Sequence, residues 1–367
     1  MALPLRVGVV GCGNISGIYF QNLGRFASTQ IVACSDLEPE RAQEAATKYG
    51  IPFALGTKEL LEHPDVDLVL NLTIPNAHAS VALAAVEAGK HVYNEKPLTI
   101  SLDDGKQLIK KAESKGVRVG CAPDTFMGAG IQTCRKLIDG GAIGEPVACE
   151  AHMQCHGHES WHPSPEFYYQ KGGGPMLDMG PYYLTALVNL MGGIKRVAGI
   201  SRATFPTRTI TSQPKHGKVI EVETPTHIAG SMEFASGAIG VVVQSFDVWH
   251  GTFAPLIVHG TEGSILVGDP NSFGDPVQVR DLSGGDWQPV PFEHGFAGNS
   301  RGVGVLDIAH AIEEGRDHRA SGGLALHVLE AMHAFNTSSE ERRHIELSTN
   351  VDRPSAMQTS EFASDLS

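Results

Sequence analysis

The sequence predicts an α/β protein of two domains: a doubly wound N-terminal domain on a parallel sheet, then a C-terminal α/β domain on a large, mostly antiparallel sheet. Three observations carry this. A chain of 367 residues exceeds the size, about 250–300 residues, at which a single hydrophobic core stops growing. From Leu5 to Cys121, short Val/Ile/Leu runs alternate with longer amphipathic segments, as a parallel sheet covered by helices on both faces requires. After a helix around Gly130 to Asp139, longer strands with period-two alternation take over, separated by Gly, Pro and Asp turns.

Taken in order, the first-domain strands are expected at Leu5–Val10, Ile31–Ser35, Val66–Leu72, His91–Asn94 and Val117–Cys121. Asn76 is expected to cap the helix entering Ala79–Ala88, with Gly89 as its left-handed C-terminal residue. In the second domain, Ile228–Phe234 and Ile239–Val243 form a hairpin around Ala235-Ser236-Gly237. Further strands are expected at Pro255–His259, Ser264–Val267 and Val277–Arg280, helices at Gly302–Glu314 and Leu324–Phe335, and a last strand at His344–Leu347. The expected division is 1–123, 124–348 and a polar, mobile tail over 349–367.

With 41% hydrophobic and 19% charged residues, the chain has the balance of a folded globule rather than a disordered one. A net charge of -13 is the wrong sign for binding nucleic acid or an anionic membrane by bulk electrostatics. Six cysteines without C-x-x-C spacing read as reduced thiols, and a strand beginning at Leu5 leaves no room for a cleaved leader, so a cytoplasmic protein is expected. No apolar run reaches the roughly 18 residues of a membrane span.

Gly11-Cys12-Gly13-Asn14-Ile15-Ser16 lies where the first strand turns into a helix. Its first Gly suits a tight turn, its second admits a pyrophosphate, and helix N–H groups face the phosphates. Ser16 stands where the third glycine of this Rossmann fingerprint belongs. Asp36, 23 residues after Gly13 at the end of the second strand, is placed to accept hydrogen bonds from the adenosine ribose. The same carboxylate repels a 2′-phosphate, which favours NAD over NADP; its plainer reading is a cap for the following helix.

Thr73-Ile74-Pro75-Asn76-Ala77-His78, Glu95-Lys96-Pro97 and Gly172-Gly173-Gly174-Pro175-Met176-Leu177-Asp178-Met179-Gly180-Pro181-Tyr182 follow in order. Together with the glycine motif they resemble the glucose-fructose oxidoreductase / inositol dehydrogenase / rhizopine catabolism (Gfo/Idh/MocA) family over nearly the whole chain. The resemblance implies a Rossmann domain, an open-faced α/β domain and oxidation or reduction of sugars and cyclitols. It implies that Lys96 approaches the substrate hydroxyl, that Glu95 and Pro97 fix the loop beside the nicotinamide, and that Thr73, Pro75 and His78 line the cofactor cleft. Two departures stand out: Tyr182 replaces the histidine common four residues after Asp178, and Pro123-Asp124-Thr125-Phe126 replaces an Asn-x-Arg segment.

On the substrate side, His156, Trp161 and His162, within a segment of four histidines from His152, offer hydrogen bonds to hydroxyls and an aromatic face. Zinc is the competing use for such residues, but the spacing matches no zinc motif and hydride transfer needs none. Asp124, after the last strand of the parallel sheet, is expected to bind a substrate hydroxyl, with a turn-forming role as its alternative. Asp178 and Tyr182 share one face of a helix over Met176–Met191, in which Pro181 is tolerable only in the first turn. Asp178 is assigned to substrate binding, and Tyr182 with Lys96 to proton transfer.

The expected function is reversible hydride transfer between NAD and a sugar: an aldose or pentose, with glycosides and cyclitols as alternatives. A glycoside-cleaving enzyme that retains its NAD, or a non-catalytic dinucleotide sensor, are the competing classes. The second-domain sheet carries apolar positions on both sides of its hairpin, so one face needs cover, and a homodimer or homotetramer through that face is expected.

Overall fold

The computed structural model of the protein describes residues 3–366. It divides into two compact units, and neither is a continuous segment. The first comprises residues 1–129, 293–326 and 354–367, the second 130–292 and 327–353. The expected division at 123/124 and 348/349 therefore becomes an interleaved one, because the chain returns to the first unit twice.

The first unit holds six parallel strands: β1 Leu5–Val10, β2 Thr29–Ser35, β3 Phe53–Ala54, β4 Leu68–Asn71, β5 His91–Asn94 and β6 Val119–Cys121. Their order, β3-β2-β1-β4-β5-β6, is doubly wound, with the sequence direction reversing beside β1. Two-residue β3 escaped the sequence reading because it is too short to show a period. The intervening helices are α1 Ser16–Leu23, α2 Pro39–Tyr49, α3 Thr57–Glu62, α4 Pro75–Glu87 and α5 Leu102–Lys115. Gly89 takes the expected positive φ after α4, but Asn76 does not cap it: Ile74 is the N-cap and Pro75 opens the helix, where its missing N–H costs nothing. The buried Val, Leu and Ala side chains of β1, β4, β5 and the helices beside them form the core under the site.

The C-terminal tail, expected to be mobile, is packed. Met357 and Phe362 are buried, and Asp365 accepts from the Ser28 N–H at 2.8 Å and lies 2.9 Å from His310 Nε2. Two apolar anchors and one buried carboxylate, all inside a polar-looking stretch, give no periodic signal to read.

The second unit opens with the helix α6 Ala129–Asp139, whose first residue belongs to unit one. Its main sheet has nine strands: β7 Pro146–Gln154, β8 Ile194–Arg202, β11 His227–Phe234, β12 Ile239–Ser245, β13 Leu256–Gly260, β14 Gly263–Leu266, β15 Val277–Asp281, β16 Gln288–Val290 and β17 Ile345–Glu346. β9 Thr207–Thr209 and β10 Val219–Glu221 form a separate ribbon. Every pairing in the nine-stranded sheet is antiparallel except β12 with β7. Helix α7 Gly174–Met191 packs on β7, β11 and β12. Pro181 is its eighth residue, not a first-turn residue, and removes the N–H that would bond the Leu177 carbonyl; nearly continuous burial of the helix offsets that loss.

Helices α8 Val303–Glu314 and α9 Gly322–Glu341 are the last two α-helices of the described residues. Where α9 crosses β8 and β11, Gly199 and Gly230 stand opposite each other, and a Cβ on either would come within 2.8 Å of Phe335. The backbones can approach only because those side chains are absent.

Candidate functional site

The dinucleotide loop begins with Gly11, whose φ of 102° is a left-handed value; an added Cβ would lie 2.8 Å from the Leu72 backbone. Both facts require glycine. An added Cβ on Gly13 meets nothing within 4 Å, so this glycine faces open space, as close approach of a pyrophosphate demands. Asn14 and Ile15 are exposed, and α1 starts without a side-chain cap, its first N–H, that of Ser16, donating to the Gly13 carbonyl at 3.2 Å. Ser16, in place of a third glycine, is buried and donates from Oγ to the Gly13 carbonyl at 2.7 Å. The hydroxyl pins the loop from below.

Asp36 accepts from the Cys12 N–H (Oδ2, 2.8 Å) and from the Glu38 N–H (Oδ1, 3.0 Å). It thereby joins the glycine loop to the end of β2 and remains half-buried beside it. The Cys12 thiol meets the Cys34 thiol; that hydrogen bond, then burial, push its pKa well up. It is a packed neutral thiol.

At the carboxyl ends of β4 and β5 a side-chain network sets the next two loops. Asn71 accepts from the Thr73 hydroxyl at 2.7 Å and donates to Asn94 Oδ1 at 3.0 Å, while Asn94 donates to the Leu98 carbonyl at 2.9 Å. His78 is completely buried, with Nδ1 2.7 Å from the Pro97 carbonyl and Nε2 3.0 Å from the Thr73 carbonyl. Burial holds its pKa below the ordinary histidine range against the pull of those two acceptors. His78 therefore does not line a cleft; it ties the Thr73 loop to the Lys96-Pro97 loop, while Thr73 and Pro75 stay partly exposed. Glu95 is similarly spent, accepting from the Tyr19 hydroxyl and from the Lys96 N–H, both at 2.8 Å. Lys96 is half-buried on the backbone that these bonds fix.

Asp124 is a correction. It is 1% exposed, and its Oδ2 accepts from the N–H groups of Gly302 and Gly304 at 2.8 and 3.0 Å, where α8 begins. Burial raises its pKa to about 6. It caps a helix and is too deeply buried to reach a substrate hydroxyl; a strand-end position gives no hint of a partner 178 residues further along the chain.

In the second unit, Asp178 and Tyr182 lie one turn apart on α7, the former half-buried and the latter 7% exposed. The histidine beside Asp178 is His158, with Nε2 3.5 Å from Oδ2, and not either of the two singled out from sequence. His156 instead stacks face to face on Trp249 at 3.5 Å, and His162 packs edge-on to Tyr168 at 5.4 Å. Burial lowers the His162 pKa. Trp161 is 62% exposed, with its ring 5.2 Å from that of His158. Tyr169 is core, whereas Trp249 is 70% exposed.

His158 and Trp249 thus join the cluster only in three dimensions. The segment from Cys155 to Ser164 is irregular, so no period distinguished one of its histidines from another.

A buried ion network underlies this segment. Arg208 donates to Glu159 at 2.8 Å, to Asp247 and to the Phe246 carbonyl at 2.9 Å; the Tyr169 hydroxyl donates to Glu159. In turn the His158 N–H donates to the Tyr169 oxygen at 3.2 Å.

Comparison with known proteins adds the following. Residues 5–122 match an oxidoreductase family with an NAD-binding Rossmann fold, and residues 131–266 match the GFO/IDH/MocA C-terminal domain. The chain is 28% identical over 263 residues to the myo-inositol 2-dehydrogenase of Thermotoga maritima, covering 71% of this chain and 75% of that protein. It is 28% identical over 274 residues to the scyllo-inositol 2-dehydrogenase (NAD(+)) of Bacillus subtilis, covering 73% and 75%. An NAD-binding oxidoreductase from Klebsiella pneumoniae shares the fold with a TM-score of 0.84 at 23% identity, covering 95% of this chain and all of that one.

Proposed function

We propose, from the premise that this chain belongs to the GFO/IDH/MocA oxidoreductase family, that its first unit binds NAD and its second presents a sugar or cyclitol for reversible hydride transfer. NAD supplies the hydride acceptor or donor. What falls to the chain is to hold it, to orient the alcohol and to move the hydroxyl proton.

The dinucleotide is assigned to the Gly11–Ile15 turn, Asp36, Thr73, Pro75 and the Glu95-Lys96 loop. The reading is supported by the open space at Gly13 and by the uncapped start of α1. His78 acts through the loops it joins. Lys96, Asp178 and Tyr182 are the catalytic residues, with His156, Trp161 and His162 in substrate binding. Oxidation removes one C–H hydride and one O–H proton from the carbinol; the proton is assigned to Lys96 and Tyr182, and Asp178 accepts a hydrogen bond from the substrate.

The observation that carries the reading is the fixing of the Lys96 backbone by Glu95, which no surface lysine would need. Its experiment is an NAD-reduction screen over pentoses, hexoses, cyclitols and glycosides. Net NADH formation with a free sugar or cyclitol supports it; product without net NADH points to glycoside cleavage, and no turnover with any class to a sensor.

Among the described residues no helix is long and apolar enough to cross a membrane. The reading places the enzyme in the cytoplasm, in keeping with six cysteines that stand as thiols, and excludes nucleic acid on charge. It further assigns a homodimer or homotetramer to the sheet face carrying Ile200, Ile239 and Val241, which are 77%, 60% and 42% exposed.

A further inference from the structure

A buried histidine that only fills a core satisfies its ring nitrogens on nearby carbonyls, as His78 does. His158 does not. Both of its ring nitrogens are buried without a protein hydrogen-bond partner, and the group facing Nε2 is the Asp178 carboxylate at 3.5 Å. The side chains of the pair are 13% and 17% exposed, while both ring nitrogens of His158 are themselves buried.

The ring is held on its other sides. Tyr168, Phe246 and Trp161 meet it edge-on at 4.1, 4.6 and 5.2 Å, which restricts the ring on three sides. Its backbone N–H is anchored on Tyr169, and through Tyr169 and Glu159 on buried Arg208. A buried charged network thus lies beneath an irregular loop. Such support is what a side chain needs in order to orient another group within a fraction of an ångström.

We propose that His158 is a positioning residue for the substrate-binding carboxylate: its Nε2–H faces one oxygen of Asp178 and turns the other toward the sugar hydroxyl. The proposal rests on the assignment of Asp178 to substrate made above. It explains why the loop carries a histidine boxed by three aromatic rings at this position. His156 and His162, whose rings pack on other partners, do not share the role.

The test compares His158→Phe with His158→Gln, using whichever sugar or cyclitol reduces NAD fastest. Phe fills the box without a donor, whereas the Gln amide carries an N–H to about the reach of Nε2. Expected are a fall in kcat/KM of about tenfold or more for the Phe variant, through KM more than kcat, and a Gln variant within about threefold of wild type. NAD affinity stays unchanged in both. A Phe variant within twofold of wild type, or a Gln variant as impaired as Phe, overturns the proposal.

If the Phe variant does not fold, His158→Asn replaces it, since its shorter amide reaches toward Nδ1 instead. Equal activity of the Asn and Gln variants then overturns the proposal. Asp178→Asn separates this inference from the function it rests on. If Asp178→Asn keeps full activity, the substrate role of Asp178 fails and this proposal with it; if it is inactive while His158→Phe is normal, only His158 is wrong.

Discussion

The loops of the first unit and the 155–169 segment of the second differ in what they leave unpaired. Around Asn71, His78, Asn94 and Glu95, side chains bond to backbone or to one another, and each loop is fixed before any ligand arrives. In the second unit, the ring nitrogens of His158 and Nδ1 of His156 are buried without a protein hydrogen-bond partner, and the segment is held by aromatic packing above the buried Arg208 network. A dinucleotide presents the same phosphates every time, so its site can be wired in advance. The segment proposed to recognise a particular arrangement of hydroxyls keeps unspent donors and acceptors, which cost stability until they are used.

Breaking the wired side at its reacting end has the largest expected effect. Lys96→Ala is expected to lower kcat by about 10³-fold or more while NAD affinity changes little, since the phosphates are assigned to the Gly11–Ile15 turn. Fluorescence titration of NAD beside steady-state kinetics checks both halves, and near wild-type kcat would remove Lys96 from the chemistry.

Asp124 tests whether a carboxylate at a strand end is wiring or recognition. Asp124→Ala leaves two buried N–H groups without an acceptor and is expected to cost about 2–5 kcal/mol of stability, with KM for the sugar unchanged in whatever remains folded. Asp124→Asn retains an acceptor and is expected to cost less than about 1 kcal/mol. The sign with pH follows from the raised pKa: the folded state holds the Asp124 proton more tightly than the unfolded state, so this contribution is complete below 3.8 and lost as pH rises through about 6. Denaturant titrations from pH 4 to 7 should therefore show a shallower loss in Asp124→Asn than in wild type. A KM effect without a stability effect would return Asp124 to the substrate.

Tyr182→Phe sharpens the comparison on the substrate side. More than about tenfold is expected to be lost from kcat with little change in NAD affinity, because the hydroxyl is assigned to the proton and the ring to packing. An unchanged kcat and pH profile would leave Lys96 as the acid/base.

The smallest expected effect is cofactor choice. NAD should bind at least about tenfold more tightly than NADP, roughly 1.4 kcal/mol, from the carboxylate of Asp36 facing a 2′-phosphate. Asp36→Ser should narrow that ratio and also weaken NAD itself, since the Cys12 N–H loses its acceptor. Equal affinities in the wild type would reduce Asp36 to a loop tie.

Legibility followed locality. The strands β1, β2, β4 and β5, the hairpin β11–β12 and the left-handed Gly89 could be read because periodicity, turn chemistry and glycine freedom are carried by neighbouring residues. The glycine turn was legible for the same reason, since strand, turn and helix follow one another within a dozen residues. Asn76 misled because Pro75 is the better first residue of α4, and a preference for the cap position yields to the helix that actually forms.

By itself the sequence determined the two kinds of sheet, the dinucleotide turn and the order of the motifs, all of which are local patterns of hydrophobicity and backbone freedom. Tertiary structure alone decided that Asp124 caps α8, that His78 is buried wiring, that the tail is packed and that His158 is the histidine facing Asp178. Each of these depends on a partner distant in the chain or on which way one side chain of an irregular loop turns. A polar residue's role is set by what reaches it, and no local pattern records that.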